Sequence, residues 1–307
     1  MSTAEIAKEK ILSMVNESIH NKKNIIGTGS FGTVYLITYG DQKLAVKVAK
    51  TQPASGYQVV DPGNRYNVMP ADQQSEILLK REASILKRLG AKCNPYIVCF
   101  KYVISDHPSI IATEFLENYK ELNDVMVGVQ NLRQLQNIIK EMILGLQYMH
   151  DNGIAHSDIH ASNIMVNVRE SKIRYIDFGL ACSKYADITE CTAGCLGYRD
   201  PALPVDTRIM TIEQAQKADI WALGVVICVL ILYSFPKKYD ATCNQLFPRF
   251  VQACDNGEAK KDWIVLVLQN EKLKGYTEQF FRVNLAKLIA LNPKERDLRT
   301  AIIRSQF

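Results

Sequence analysis

The chain lacks most of the features that would set it apart from an ordinary globular protein. Its first residues, Met1 to Glu9, hold no apolar core of a secretory signal, so the expected location is the cytoplasm. The apolar run Ile220 to Tyr233 counts fourteen residues and is opened by Asp219. That is short of the roughly 17–25 residues needed to span a bilayer, so a buried core helix is expected and no membrane span. No internal repeat or low-complexity tract is visible, and 47% hydrophobic with 22% charged content argues against large-scale disorder. Charge of one sign is scarce: 37 basic against 32 acidic side chains leave only +5. This dispersed excess does not argue for nucleic-acid binding, and Lys237-Lys238 and Lys260-Lys261 read as solvated faces. The eight cysteines form no CxxC pair and have no histidines at zinc-finger spacing. Reduced thiols are therefore expected, with Cys191 and Cys195, four apart in a loop, as the pair open to redox chemistry.

What is present is a chain of 307 residues, 47% hydrophobic and 22% charged, enough for one large core or two modest ones. Residues 25–48 read as strands: Ile25-Ile26, β-branched Thr33 to Thr38, a Gly40-Asp41 turn, and Leu44 to Val48. Residues 51–72, with Pro53, Gly56, Pro62, Gly63 and Pro70, read as an insertion loop. From Asp72 the pattern is helical, with Leu78, Ile85 and Leu89 on one stripe and Gly90 as a stop. Glu82 falls on that stripe, and a buried carboxylate calls for a cation from elsewhere. Strand-like Tyr102 to Ile104 and Ile110 to Thr113 lead to a polar segment, Glu117 to Glu121, suited to an interdomain hinge. Beyond it Leu132, Leu135, Ile139, Met142, Leu146 and Met149 repeat at helical spacing, and apart from a hairpin over 164–176 the remainder is helix-rich. The division expected is an N-terminal helical extension over 1–23, a β-rich lobe over 24–116 and a mainly helical lobe over 117–307.

Three motifs carry chemistry. Gly27-Thr28-Gly29-Ser30-Phe31-Gly32-Thr33-Val34 lies between two strands, where glycines let backbone approach a triphosphate. Alone it fits a plain glycine-rich hairpin as well; a dinucleotide fold is disfavoured because a strand, not a helix, follows. Lys47, alternating with Ala45 on the next strand, is the cation that Glu82 asks for, so a Lys47–Glu82 pair holding nucleotide phosphates explains both residues. His156-Ser157-Asp158-Ile159-His160-Ala161-Ser162-Asn163 and Asp177-Phe178-Gly179 supply a candidate base, Asp158, and two hard-oxygen ligands for magnesium, Asn163 and Asp177.

Together with Leu44-Ala45-Val46-Lys47 and with Asp219-Ile220-Trp221-Ala222-Leu223-Gly224, these motifs resemble those of eukaryotic-type protein kinases over roughly residues 24–300. The resemblance implies an α+β, two-lobed fold with ATP and Mg2+ in the cleft. It makes Asp158, Lys47, Glu82 and His160 catalytic and Asn163 and Asp177 metal ligands. Ile26, Gly27, Thr28, Gly29, Ser30, Phe31, Gly32, Val34, Ala45 and Lys47 would bind nucleotide, with Thr113 as gatekeeper and Glu114 to Leu116 as the adenine hinge. It also implies that Asp219 caps a buried helix and braces the catalytic loop.

The departures from the family pattern fall around these groups. Ser157 stands where many relatives carry an arginine that grips a phosphorylated activation segment, and serine cannot make bidentate contacts to phosphate. Activity independent of such phosphorylation follows. His160 replaces a lysine that contacts the transferred phosphate, and Cys195 a threonine that touches the same aspartate, so the peptide-side pocket is expected to be rebuilt. Protonated His160 as the donor predicts a rate rising below about pH 7. Asp200-Pro201-Ala202 lacks a glutamate that relatives pair with a late arginine; Arg296 either meets Asp200 or Asp206 or is exposed. Ser183, Tyr185, Thr189 and Thr192 are loop hydroxyls open to phosphorylation. The expected activity is transfer of the γ-phosphate of ATP to a Ser/Thr hydroxyl of a protein substrate. The rivals are a nucleotide-binding scaffold and a small-molecule kinase of the aminoglycoside-phosphotransferase type. A divergent, viral lineage would place the chain in the host cytoplasm or the virion.

Overall fold

The computed structural model describes residues 3–29, 31–50, 60–61, 64–68, 71–90, 93–106, 109–126, 129, 131–185, 191–192, 194, 198–204, 207, 209–234, 285 and 287–304. Two compact units emerge: Met1–Glu117 with Asp177–Leu180, and Asn118–Ile176 with Ala181–Phe307. The class is α+β, with strands dominant in the first unit and helices in the second.

The first unit holds helix α1 (Thr3–Asn21), strands β1 (Ile25–Thr28), β2 (Gly32–Tyr39) and β3 (Gln42–Ala49), a small hairpin β4 (Val60–Asp61) and β5 (Asn64–Val68), helix α2 (Ala71–Gly90), and strands β6 (Phe100–Asp106) and β7 (Ser109–Glu114). Five of these strands form one antiparallel sheet in the order β1-β2-β3-β7-β6. The β2–β3 turn is closed by Gly40 at φ +58°, a conformation a side chain would strain. Period-two alternation splits the sheet residues into two faces. Tyr35, Ile37, Leu44, Val46, Val48, Ile110 and Ala112 turn to one side, where Ile11 and Val15 of α1 complete a buried core. The N-terminal helix is thus built into the core of the sheet. Within 51–72, β4 pairs with β5, so part of that segment is a hairpin; Ala71 and Asp72 already belong to α2 and most of the rest lies outside the described residues.

The second unit contains β8 (Lys120–Glu121), α3 (Leu122–Val125), α4 (Leu132–Asp151), β9 (Ile154–Ala155), β10 (Ile164–Asn167), β11 (Lys172–Tyr175), β12 (Cys182–Ser183), β13 (Cys191–Thr192), β14 (Ile209–Met210), α5 (Ile212–Ser234) and α6 (Leu298–Arg304). Helix α4 is capped by Asn131, whose side chain accepts from the amides of Arg133 and Gln134, and ends at Gly153, φ +67°. Its stripe Leu135, Ile139, Met142, Leu146 and Met149 is buried, as expected. Helix α5 is apolar nearly all round; its stretch Ile212–Ile231 has the length and composition to cross a membrane, yet 78% of the apolar window is buried inside the protein. The expected core-helix reading fits that burial.

One expectation about α5 is corrected. Asp219 does not cap it, because the helix begins at Ile212 and Thr211 caps it instead. The Thr211 hydroxyl accepts from the Gln214 amide at 3.3 Å and the Gln214 side chain accepts from the Thr211 amide at 2.9 Å. Asp219 lies about two turns inside.

The thiol expectation is corrected too. Cys93 is bonded to Cys99 and Cys182 to Cys191, while Cys228 is a free, buried thiol. The first pair is closed by a tight turn in which the Tyr96 amide donates to the Asn94 side chain at 2.8 Å. The second is set by strand pairing: β12 lies on β9, β13 lies on β14, and the two cysteines come to a Cα separation of 5.3 Å. Neither proximity leaves a local spacing signal. Cys191 is therefore tied to Cys182; Cys195 lies outside the described residues.

Candidate active site

Strand register in the first unit brings together the candidate nucleotide-binding residues. Gly27 pairs with Val34, Val34 with Lys47, Leu36 with Ala45, and Ala45 with Thr113. Directly opposed residues share a face, so Val34, Ala45, Lys47 and Thr113 stand together on the side of the sheet opposite the α1 core. The hairpin of the glycine-rich segment is closed by the Gly29 amide donating to the Gly32 carbonyl at 2.9 Å. Gly32 is packed tightly: a Cβ there would lie 3.0 Å from Lys47 Cγ. At Gly27 and Gly29 the nearest atoms would be 3.9 Å away, so the backbone is open to close approach. Thr28 and Phe31 lie in the same segment, Ile26 is exposed, and Ser30 lies outside the described residues. At the end of β7, Glu114 is held twice against Cys99: its amide donates to the Cys99 carbonyl, and its carboxylate accepts from the Cys99 amide, both at 2.9 Å. Phe115 donates to the Lys43 carbonyl at 3.2 Å, which fixes the chain just before Leu116.

Lys47 Nζ donates to Glu82 Oε2 at 2.7 Å and to Asp177 Oδ1 at 2.9 Å. Burial opposes the Lys47 charge, but the carboxylates of Asp177 and Glu82 outweigh it and raise its pKa. Burial likewise pushes the Glu82 carboxyl up, against the pull of Lys47, and the negative Asp177 adds to the rise. One ammonium thus serves two carboxylates, and the cation stays charged. Glu82 also accepts from the Phe178 amide at 3.3 Å, and Leu180 packs on Leu78. Asp177 sits at φ +59° with its side chain 40% exposed. The direct Lys47–Asp177 contact was not foreseen; it depends on two residues 130 apart.

The second unit holds the candidate catalytic loop, residues 156–163. Asp219 accepts from the amides of His156 at 2.7 Å and Ser157 at 2.8 Å, and its carboxylate lies 3.1 Å from His150 Nε2. The expected bracing is present. This buried grip supports Ser157 at φ +63°, one residue before Asp158. Asn163 Nδ2 donates to the Asp158 carbonyl at 3.0 Å and to its carboxylate at 3.3 Å, while His160 Nε2 lies 3.5 Å from Asp158 Oδ2. His156 is fully buried, with Nε2 3.0 Å from the Ile176 carbonyl. Gly194 presses on the loop: a Cβ there would lie 2.1 Å from the Ser157 carbonyl and 2.9 Å from Asp158 Oδ1. Sequence reasoning named Gly194 only as part of a motif, since close approach of distant backbone leaves no pattern.

The choice left open for Arg296 is settled in favour of Asp200. Both side chains are buried and joined by a two-point ion pair, with Arg296 Nη2 2.7 Å from Asp200 Oδ1 and Nη1 on Oδ2. The guanidinium also stacks 5.1 Å over the Trp221 ring and donates to the Lys217 and Ala290 carbonyls. Of the candidate phosphorylation sites, Ser183 is fully buried and Tyr185 is exposed; Thr189 lies outside the described residues.

A lysine shared between a helix glutamate and the aspartate of Asp-Phe-Gly in the first unit, and an aspartate-bearing loop braced from a buried helix in the second, are features of the protein kinase class. The chain belongs to the protein kinase domain family, whose model matches residues 20–297. It is similar to serine/threonine-protein kinase oca2 of Schizosaccharomyces pombe, 30% identical over 146 residues, covering 46% of this chain and 22% of that protein. It is also similar to serine/threonine-protein kinase kin-29 of Caenorhabditis elegans, 26% identical over 241 residues, covering 76% of this chain and 26% of that one. A third relative is the calcium/calmodulin-dependent protein kinase type 1B of Homo sapiens, 27% identical over 221 residues, with coverage of 66% and 61%. The chain thus spans less than two thirds of the length of these relatives.

Proposed function

We propose that the chain is an active protein kinase that transfers the γ-phosphate of ATP to a serine or threonine hydroxyl of a protein. The observation that carries this is retention of Lys47, Glu82, Asp158, Asn163 and Asp177, each held by partners suited to its task. Lys47 is kept cationic between Glu82 and Asp177, which suits it to bind phosphate oxygens. The open backbone at Gly27 and Gly29 leaves room for a triphosphate. Asn163 spends its amide nitrogen on Asp158, which leaves its carbonyl oxygen as a ligand, and Asp177 is partly exposed. These hard oxygens fit Mg2+, which would neutralise phosphate charge when bound.

Asp158 is oriented by Asn163 and by the backbone that Asp219 anchors, and would accept the proton of the attacking hydroxyl. His160, 3.5 Å from Asp158, would serve the site where relatives use lysine. The serine/threonine preference rests on the relatives' names and on the sequence Gly194-Cys195-Leu196-Gly197-Tyr198, which lacks the proline typical of tyrosine kinases.

The test is incubation with γ-labelled ATP, magnesium and generic basic and acidic proteins, with an aminoglycoside in parallel and Asp158→Ala as control. Label on serine or threonine of protein, absent in the variant, is expected. Label on the small molecule alone, or nucleotide binding without any transfer, overturns the reading.

A further inference from the structure

The catalytic loop is fastened by a bond that thiols can break. β9 (Ile154–Ala155) runs directly into His156, Ser157 and Asp158, and its ladder partner is β12, which carries Cys182. β13, which carries Cys191, pairs with β14. Each ladder is only two residue pairs long, too short to persist by itself. The Cys182–Cys191 bond joins them, and both cysteines are fully buried in a cluster with Ala155, Met210 and Ala215. The same sulfur reaches the loop directly, because Ser157 Oγ lies 3.6 Å from Cys182 Sγ. A disulfide sulfur has no proton, so the Ser157 hydroxyl is the donor. Ser157 is also the residue whose sequence removes the phosphate-gripping arginine.

We propose that the Cys182–Cys191 disulfide is a positioning element for Asp158 that makes phosphoryl transfer sensitive to thiol reduction, a proposal that rests on the kinase reading above. The two residues touch no reacting atom; they act through β9 and Ser157. The chemistry is thiol–disulfide exchange. A dithiol gives two electrons and two protons to the Sγ–Sγ bond, leaving two cysteine thiols and an oxidised dithiol, and glutathione disulfide reverses it. Loss of the bond frees β12 from β13 and loosens the loop that holds Asp158. Lys47, Glu82 and Asp177 belong to the other unit and keep their own ion pairs.

The experiment is a titration of the full chain with dithiothreitol. Thiol state is read by alkylation and mass mapping, kcat and the ATP dissociation constant are measured at each point, and amide hydrogen exchange is followed at His156 and Ser157. Expected is a reversible fall in kcat on the order of tenfold or more as Cys182 and Cys191 become alkylatable. ATP affinity stays unchanged, exchange at both amides speeds up, and glutathione disulfide restores the starting state. Cys182→Ser with Cys191→Ser holds the low kcat under all conditions, whereas Cys93→Ser with Cys99→Ser responds like the wild type. Full alkylation of Cys182 and Cys191 with kcat and amide exchange unchanged overturns the proposal, as does a response that survives in the Cys182/Cys191 variant. Absence of transfer in every thiol state counts against the kinase reading instead, and the amide exchange still decides whether the bond holds the loop.

Discussion

At Lys47 a single ammonium answers two carboxylates, so its removal has two separable effects. Lys47→Met takes away the charge proposed to bind phosphate and is expected to lower kcat by about 10²–10³, the range for loss of one preorganised charge donor. It also leaves Glu82 buried without its cation, a loss of about 3–5 kcal/mol that a denaturant melt would register. Gly194 makes a sharper test of geometry. Gly194→Ala sets a methyl group against the Ser157 carbonyl and Asp158, and a displacement of about 1 Å costs about 10²-fold in rate. The fall belongs in kcat, with ATP affinity intact; an unchanged kcat would show that the loop gives way freely.

Among the elements, α1 is the one whose role the sequence hid. Its apolar positions are sparse, and among its described residues only Ile11 and Val15 are fully buried, so nothing in the pattern distinguishes a docked helix from an extension. Ile11→Ala is expected to cost about 2–5 kcal/mol in a denaturant melt, as for other fully buried aliphatic residues. The strands were legible for the opposite reason: β2 is rich in β-branched residues and Lys47 alternates with Ala45 on β3, and the register lines Val34, Ala45 and Lys47 on one face. The Lys47–Glu82 pair was legible because a carboxylate on a buried stripe demands a partner. The Arg296–Asp200 pair was not, because Asp206 offered the same chemistry and only the fold chooses between them. Helix α6 adds a pH effect. The Thr300 hydroxyl, helped by the Arg299 and Thr300 amides, holds the Asp297 carboxyl below its usual range. A depressed carboxylate stabilises the fold above its unfolded pKa and loses that contribution as pH falls through the folded value. Acid melts should therefore show this loss only below about pH 4, and Asp297→Asn should abolish it.

For the whole molecule the question is whether a kinase-family chain with altered catalytic-loop letters still transfers phosphate. Ser157, His160 and the Asp200-Pro201-Ala202 sequence all depart from the family, while Lys47, Glu82, Asp158, Asn163 and Asp177 are retained. Exhaustive phosphatase treatment is expected to leave turnover undiminished, since position 157 offers no guanidinium to a phosphorylated segment. The most direct measurement compares wild type with Asp158→Asn, recording ATP affinity and single-turnover transfer to a protein hydroxyl on the same preparations. Loss of transfer by about 10²–10⁴ with ATP affinity preserved is the predicted result. Equal transfer by the two proteins, or no transfer by the wild type, would contradict it.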